Sequence, residues 1–304
     1  MRPLIAALAA TALMAQQAVN PPGDKPTVFH LDTRIVVCHT TVIDKAGHLV
    51  TNLPQSAFTV YENKIRQEIR RFKREDVPVS LGLVIDNSGS MRNKLTQVKT
   101  AAVALVKESN PADEVFVVNF NDSAYLDNPR EKPFTNDVGE LEAALAKIDT
   151  RGGTAMRDAI QMSIDHLKGA HRDKKVLVVI TDGNDNASTV GMDTILRNAH
   201  KSDVLLYGVG LLTEEEHREA GRARKALNDL AEATGGKTFF PKDVAEVDSI
   251  ARQVAHDIRN QYVIEYSPSN SAMDGTFRAI RITAKAPGTT VRTRSGYYAT
   301  PDAK

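Results

Sequence analysis

The strongest constraint on the fold is an alternation of apolar and amphipathic segments between residues 79 and about 260. Four short runs in this region are apolar almost throughout, at 81–85, 115–120, 176–180 and 204–209. Strands without a polar face must be covered on both sides, as in a parallel sheet. The segments between them show the i, i+3, i+4 spacing of helices that cover a sheet. The pattern predicts an α/β fold with a doubly wound, mostly parallel sheet.

Shorter strand-like runs flank this region on both sides. They lie at 35–43, 58–61, 65–72, 262–266, 277–283 and 290–294. Neither flank has enough strands to hide an apolar face, and a doubly wound domain can leave its chain ends close together. We therefore predict a small all-β unit in which 261–304 packs with 28–77. The expected division is an N-terminal β-rich segment at 20–77, an α/β domain at 78–260 and a C-terminal β-rich segment at 261–304.

The first 19 residues have the layout of a secretory signal. Met1 and Arg2 precede an apolar stretch that ends near Met14, and the chain turns polar at Gln16. A buried N-terminal helix is the alternative. The stretch is too short to cross a bilayer, and no later segment is apolar for long enough to act as a second anchor. We expect a secreted or periplasmic protein with no transmembrane anchor after residues 1–19 are removed.

The charge balance and the single cysteine narrow the function classes. The chain has 39 Lys and Arg against 38 Asp and Glu, a formal net charge of +1, which argues against a nucleic-acid partner. Basic residues concentrate at 66–74, but Glu68, Glu75 and Asp76 interrupt them, so we interpret this run as a solvated strand edge. Cys38 alone excludes an internal disulfide.

Oxygen-bearing side chains follow the predicted strands at their carboxyl ends, where open α/β sheets bind ligands. The run 81–85 leads into Asp86, Ser88 and Ser90, and the run 176–180 leads into Asp182. Thr154, after two glycines, opens a helix beside them. These five side chains are the candidate metal ligands.

The donor set suits a small hard cation, with Mg²⁺ preferred and Mn²⁺ or Ca²⁺ possible. Two carboxylates and three neutral hydroxyls leave the ion electrophilic, so it gains by accepting a carboxylate from outside. Gly89, Gly152 and Gly153 would let the backbone bend around the ion. Separate explanations stay open, because the Asp86 loop and Thr154 could each cap a helix, and 181–183 could be a plain turn.

The three motifs resemble the von Willebrand factor A domain, whose metal-ion-dependent adhesion site carries a D-x-S-x-S loop, a later Thr and a later Asp. The resemblance covers about residues 79–260. It implies that Ser88, Ser90 and Thr154 touch the ion directly or nearly so, that Asp86 and Asp182 often act through water, and that an acidic group of a ligand completes the shell. The whole chain also resembles secreted proteins called acidobacterial von Willebrand factor A-related.

We therefore predict a non-enzymatic, metal-dependent adhesion module that binds an Asp or Glu carboxylate of a protein partner. The alternative is a metal-dependent hydrolase of phosphate or other esters. Against it, Ser88 stands where a haloacid-dehalogenase-like phosphatase has a second carboxylate, and no His or Lys lies in the site loops as an evident acid or base. A dinucleotide site is disfavoured because no G-x-G-x-x-G follows the first strand. A structural module with a vestigial site is the remaining possibility.

Overall fold

The computed structural model describes residues 34–74, 76–128, 131–146, 150–212 and 217–301. The predicted signal at 1–19 lies outside these ranges. No helix within them is both long and apolar enough to cross a membrane.

Strands and α-helices are interspersed between residues 79 and 259, and the flanking described segments are built mainly from strands. The strands are β1 (Val36–Ile43), β2 (Phe58–Glu62), β3 (Ile65–Gln67), β4 (Ile69–Lys73), β5 (Val79–Asp86), β6 (Glu114–Phe120), β7 (Ala124–Leu126), β8 (Lys174–Thr181), β9 (Val204–Gly210), β10 (Thr238–Phe239), β11 (Tyr262–Tyr266), β12 (Phe277–Ala284), β13 (Thr290–Arg292) and β14 (Gly296–Tyr298). The helices are α1 (Leu95–Lys107), α2 (Val138–Ala146), α3 (Met156–His166), α4 (Met192–Lys201), α5 (His217–Thr234) and α6 (Val247–Arg259).

A six-stranded sheet forms the centre of the fold, in the order β10-β9-β8-β5-β6-β7. Every neighbouring pair is parallel except β6 and β7. All eight residues of β5 are buried, because α1 and α6 cover one face of the sheet and α3, α4 and α5 cover the other. The doubly wound α/β fold predicted from the apolar runs is confirmed.

Two four-stranded antiparallel sheets lie beside it, in the orders β13-β1-β11-β4 and β14-β12-β2-β3. Each combines strands from both flanking segments, and their facing sides bury Cys38, Val60 and Ile264. The single strand predicted at 65–72 is wrong: Glu68 divides it, and its halves join different sheets. The Gln67 side chain bonds to the loop after β11 at this corner, a long-range contact that a local strand pattern does not encode.

The antiparallel sheets meet the amino-terminal edge of the parallel sheet. Only Asn260 and Gln261 separate α6 from β11, so the chain passes directly from one layer to the other. Arg292 pairs with Asp257 of α6 at 2.8 Å across this junction. The amino edge is therefore covered, and the carboxyl edge is the one at which the candidate ligands emerge.

Candidate functional site

Asp86 anchors the first loop of the site. It ends β5, and its side chain is enclosed on all sides. One carboxylate oxygen accepts the Ser88 backbone N–H at 2.8 Å, and the other accepts the Thr181 hydroxyl at 2.5 Å. Burial raises the pKa of Asp86 to about 6, while hydrogen bonds from Thr181 and Ser88 act in the opposite direction. A nearby cation would stabilise the charged carboxylate at this position.

Three of the predicted donors form a row across two loops. The hydroxyl oxygens of Ser88 and Ser90 lie 3.1 Å apart, and the Ser90 hydroxyl donates to Asp182 at 2.7 Å. Neighbouring oxygens in the octahedral shell of Mg²⁺ are about 3.0 Å apart, given Mg–O distances of about 2.1 Å. The spacing of this row therefore fits an oxygen-ligated divalent ion.

Thr154 is buried on the third loop. Its backbone N–H donates to the Asn186 side chain at 2.8 Å, and its carbonyl accepts the Asn186 N–H at 3.1 Å. A Cβ atom on Gly183 would lie 3.6 Å from the Thr154 hydroxyl oxygen, so this hydroxyl adjoins the loop after β8. The structure thus brings the Thr154 loop against the loop that carries Asp182.

Helix capping does not explain these residues. Helix α3 begins after Ala155, so Thr154 does not occupy the cap position. Ser88 precedes a short 3₁₀ helix at Gly89–Asn93, and its side chain makes no capping hydrogen bond there. The chain forms this 3₁₀ turn first, and α1 begins only at Leu95.

Glycine is required at one of the predicted bends and not at another. Gly152 has φ +70°, and a Cβ atom there would approach the Asp122 carboxylate to 2.1 Å. That carboxylate is already bound by the Gly153 N–H at 2.7 Å. Gly89 has no such need, because a Cβ atom would meet only the Gly152 carbonyl oxygen, at 3.8 Å. Its N–H donates to the same carbonyl at 3.2 Å, which links the first and third loops.

Lys94 lies beside the predicted ligands but was not among the residues predicted from the sequence. The Lys94 ammonium donates to Asp182 at 2.6 Å and to the Leu211 carbonyl at 3.3 Å. The sequence did contain a signal for Lys94. It directly precedes α1, and a basic side chain is unfavourable at a helix N-terminus, where acidic side chains are preferred. Thr181 was missed as the partner of Asp86, since its contact spans 95 residues.

The composition of the donor set limits what it can bind. Within the described ranges, no group of three or more His, Cys, Asp or Glu side chains is placed to hold a metal ion. An ion at the carboxyl edge must therefore rely on hydroxyl oxygens together with the two carboxylates. Hard cations such as Mg²⁺ accept such ligands, whereas thiol- and imidazole-preferring metals do not fit this set.

Residues 81–184 match the family model of the von Willebrand factor type A domain. Bovine inter-alpha-trypsin inhibitor heavy chain H4 is 24% identical over 225 residues, covering 66% of this chain and 23% of that protein. Human integrin alpha-D is 24% identical over 202 residues, covering 62% of this chain and 16% of that protein. The chain thus spans less than a quarter of the length of either relative.

The solved structure of a von Willebrand factor type A protein from Catenulispora acidiphila shares the fold at a TM-score of 0.53 and 15% identity. It covers 90% of this chain and 76% of that chain. The predicted likeness to the acidobacterial group stays a prediction. On the family match, the doubly wound sheet and the order of the motifs at its carboxyl edge, the chain contains a von Willebrand factor type A domain.

Proposed function

We propose that this protein is an exported adhesion-type module that binds a protein partner through a divalent ion at the carboxyl edge of its parallel sheet. The observation that carries the proposal is the row of oxygens formed by Ser88, Ser90 and Asp182, with consecutive spacings of 3.1 and 2.7 Å. Relatives that contain the type A domain point to a protein-binding module, which supports this function.

In this proposal the ion is held by Asp86, Ser88, Ser90, Thr154 and Asp182, and Mg²⁺ is preferred over Mn²⁺ or Ca²⁺. Bound there, it supplies a positive charge that accepts an Asp or Glu carboxylate of the partner. Ser90 is exposed and Asp86 is buried, so the partner approaches from the Ser90 side.

Binding is favoured over catalysis by the chemistry of the side chains. Proteins with this domain are mainly interaction modules. Lys94, which the sequence pattern did not reveal, is a cation paired with Asp182, and an ammonium group cannot accept a proton as a general base. A hydrolase is the alternative, and Mg²⁺-dependent turnover of phosphate or carboxylic esters that Asp86→Ala removes would support it.

Export and the domain division belong to the same proposal. To meet a partner outside the cytoplasm, the protein uses segment 1–19 as its export signal. Separately, the unit formed by 28–77 and 261–304 packs against the amino edge of the type A domain, opposite the metal site. Sequencing the N-terminus of the exported protein tests the first point. An N-terminus near residue 20 supports it, and an intact Met1 contradicts it.

Metal dependence is tested by thermal unfolding of the full chain in EDTA and in Mg²⁺ or Mn²⁺. We expect the ion to raise the melting temperature of the wild type and to have no effect on Asp86→Ala. The partner chemistry is tested with two displayed peptide libraries that differ only in Asp and Glu against Asn and Gln. Selective, EDTA-sensitive capture of the acidic library is expected, and equal capture of both libraries contradicts a carboxylate-binding site.

A further inference from the structure

Lys94 occupies an unusual position for a basic residue, inside a cluster of proposed cation ligands. Its ammonium lies 2.6 Å from Asp182, whose side chain is completely enclosed, while Lys94 itself keeps 22% of its side chain exposed. The second oxygen of the same carboxylate accepts the Ser90 hydroxyl at 2.7 Å. Both oxygens of Asp182 are therefore engaged, one of them by a positive charge.

A divalent ion and the Lys94 ammonium both require a negatively charged oxygen. In the proposed site each interacts with the Asp182 carboxylate, directly or through a water, and two cations beside one buried carboxylate repel each other strongly where the dielectric is low. Lys94 also reduces the formal charge of the site from −2, contributed by Asp86 and Asp182, to −1. The attraction between the site and a divalent ion is correspondingly weaker.

We propose that Lys94 is a built-in competitor of the divalent ion, which holds Asp182 in the metal-free protein and releases it when the ion binds. This inference rests on the metal site of the proposed function and adds its regulation. The ammonium has a second acceptor at 3.3 Å, the Leu211 carbonyl just after β9, so it has a place to remain after release.

The competition also connects three loops. Lys94 precedes α1, Asp182 follows β8, and Leu211 follows β9, so the ammonium bridges loops at the carboxyl ends of neighbouring strands. Metal binding exchanges this bridge for direct bonds between the ion and the loops. The metal-free protein is thus kept ordered at this edge, and the ion binds less tightly than its donor set alone would allow.

The experiment compares Mg²⁺ and Mn²⁺ binding to the full chain by isothermal titration calorimetry. Lys94→Met removes the charge and keeps most of the apolar side chain, Lys94→Gln removes the charge and keeps a hydrogen-bond donor, and Lys94→Arg keeps the charge. Lys107→Met is the matched control, because Lys107 lies on α1 with an exposed partner, Glu142, at 3.3 Å. Circular dichroism checks that each variant folds. If Lys94→Met does not fold, the comparison rests on Lys94→Gln.

We expect the two neutral variants to bind the ion about tenfold more tightly than the wild type, and to melt at a lower temperature in EDTA. Lys94→Arg and Lys107→Met should bind like the wild type. Unchanged or weaker binding by the neutral variants, with a wild type that binds, overturns the inference and leaves the proposed function standing. If only the neutral variants bind the ion, the competition by Lys94 is supported, and the proposed metal-dependent function of the wild type is contradicted. No binding by any protein overturns both.

Discussion

The two edges of the parallel sheet carry similar chemical groups in opposite situations. At the carboxyl edge, Asp86 and Asp182 lie beneath the exposed hydroxyl of Ser90. At the amino edge, Asp257 is paired with Arg292 at 2.8 Å, and the antiparallel sheets lie over the pair. The carboxylate at the covered amino edge is neutralised by a fixed partner. The carboxylates at the open carboxyl edge lie next to an exposed hydroxyl, so a ligand can approach them.

Two basic groups at the covered amino edge have pKa values that burial shifts. Burial lowers the pKa of Lys174 to about 7 and the pKa of His39 to about 3, so the charged form of each is less favoured there than in water. Lys174 nevertheless donates to the Ile258 carbonyl at the end of α6. Shifted pKa values at this edge therefore report burial between two layers and do not indicate a binding site.

The largest expected effect breaks the covered edge. Arg292→Met leaves the Asp257 carboxylate, 5% exposed, without its cation, and should lower the free energy of unfolding by about 3 kcal/mol. Urea denaturation measures this. The matched control is Arg252→Met on the same helix as Asp257, because the partners of Arg252 are exposed and its loss should change little. Equal effects of the two substitutions would contradict the contrast between buried and exposed pairs.

The next effect is a pH dependence that originates at the covered edge. The native pKa of His39, about 3, lies below its ordinary value of 6.5. Between these two pH values His39 is therefore protonated in the unfolded chain and neutral in the folded chain. The stability from this group is complete above pH 6.5 and is lost as the pH falls toward 3. Between pH 7 and pH 4.5 the loss should be about 2.5 kcal/mol.

His39→Gln should flatten this pH profile, as measured by urea denaturation at both pH values. His48→Gln is the control, since the His48 side chain is 80% exposed. If the two variants have the same pH dependence, the buried imidazole is not its source.

A smaller effect distinguishes two glycines at the open edge. Gly152→Ala places a side chain at φ +70° against Asp122 and should destabilise the protein by about 1 kcal/mol. It should also weaken Mg²⁺ binding, because the turn that leads to Thr154 must move. Gly89→Ala meets only a carbonyl oxygen at 3.8 Å and should leave both quantities nearly unchanged. Denaturation and calorimetry of the pair test this, and similar losses in both variants would argue against it.

The smallest expected effect on stability belongs to an open-edge donor. Ser90→Ala removes one hydrogen bond to Asp182 while Lys94 keeps the other oxygen engaged, so the free energy of unfolding in EDTA should fall by only about 0.5 kcal/mol. The rise in melting temperature caused by Mg²⁺ should nevertheless disappear. A normal rise in this variant would exclude Ser90 from the set of ligands.

Sequence reasoning succeeded where a feature is local. The apolar runs that became β5, β8 and β9 had no polar face, so they could form only a covered parallel sheet. Chain topology then predicted that Asp86 and Asp182 emerge at the same edge, which the Ser90 hydroxyl bond to Asp182 bears out.

Sequence reasoning failed where a contact joins distant segments. Lys94 and Asp182 are 88 residues apart, and Arg292 and Asp257 meet only because β13 joins the sheet that covers the amino edge. The division of the strand at Glu68 is of the same kind, since the choice of sheet depends on partners elsewhere in the chain. Spacing within a segment carries no information about these pairings.

The most direct test of the open edge is a calorimetric titration of the full chain with Mg²⁺, beside the near-isosteric variant Asp86→Asn. We expect one bound ion per wild-type chain and no measurable binding to the variant, which should retain its fold. Absence of binding to the wild type, or equal binding to both proteins, would contradict a metal ion held at the carboxyl edge by Asp86 and its neighbours.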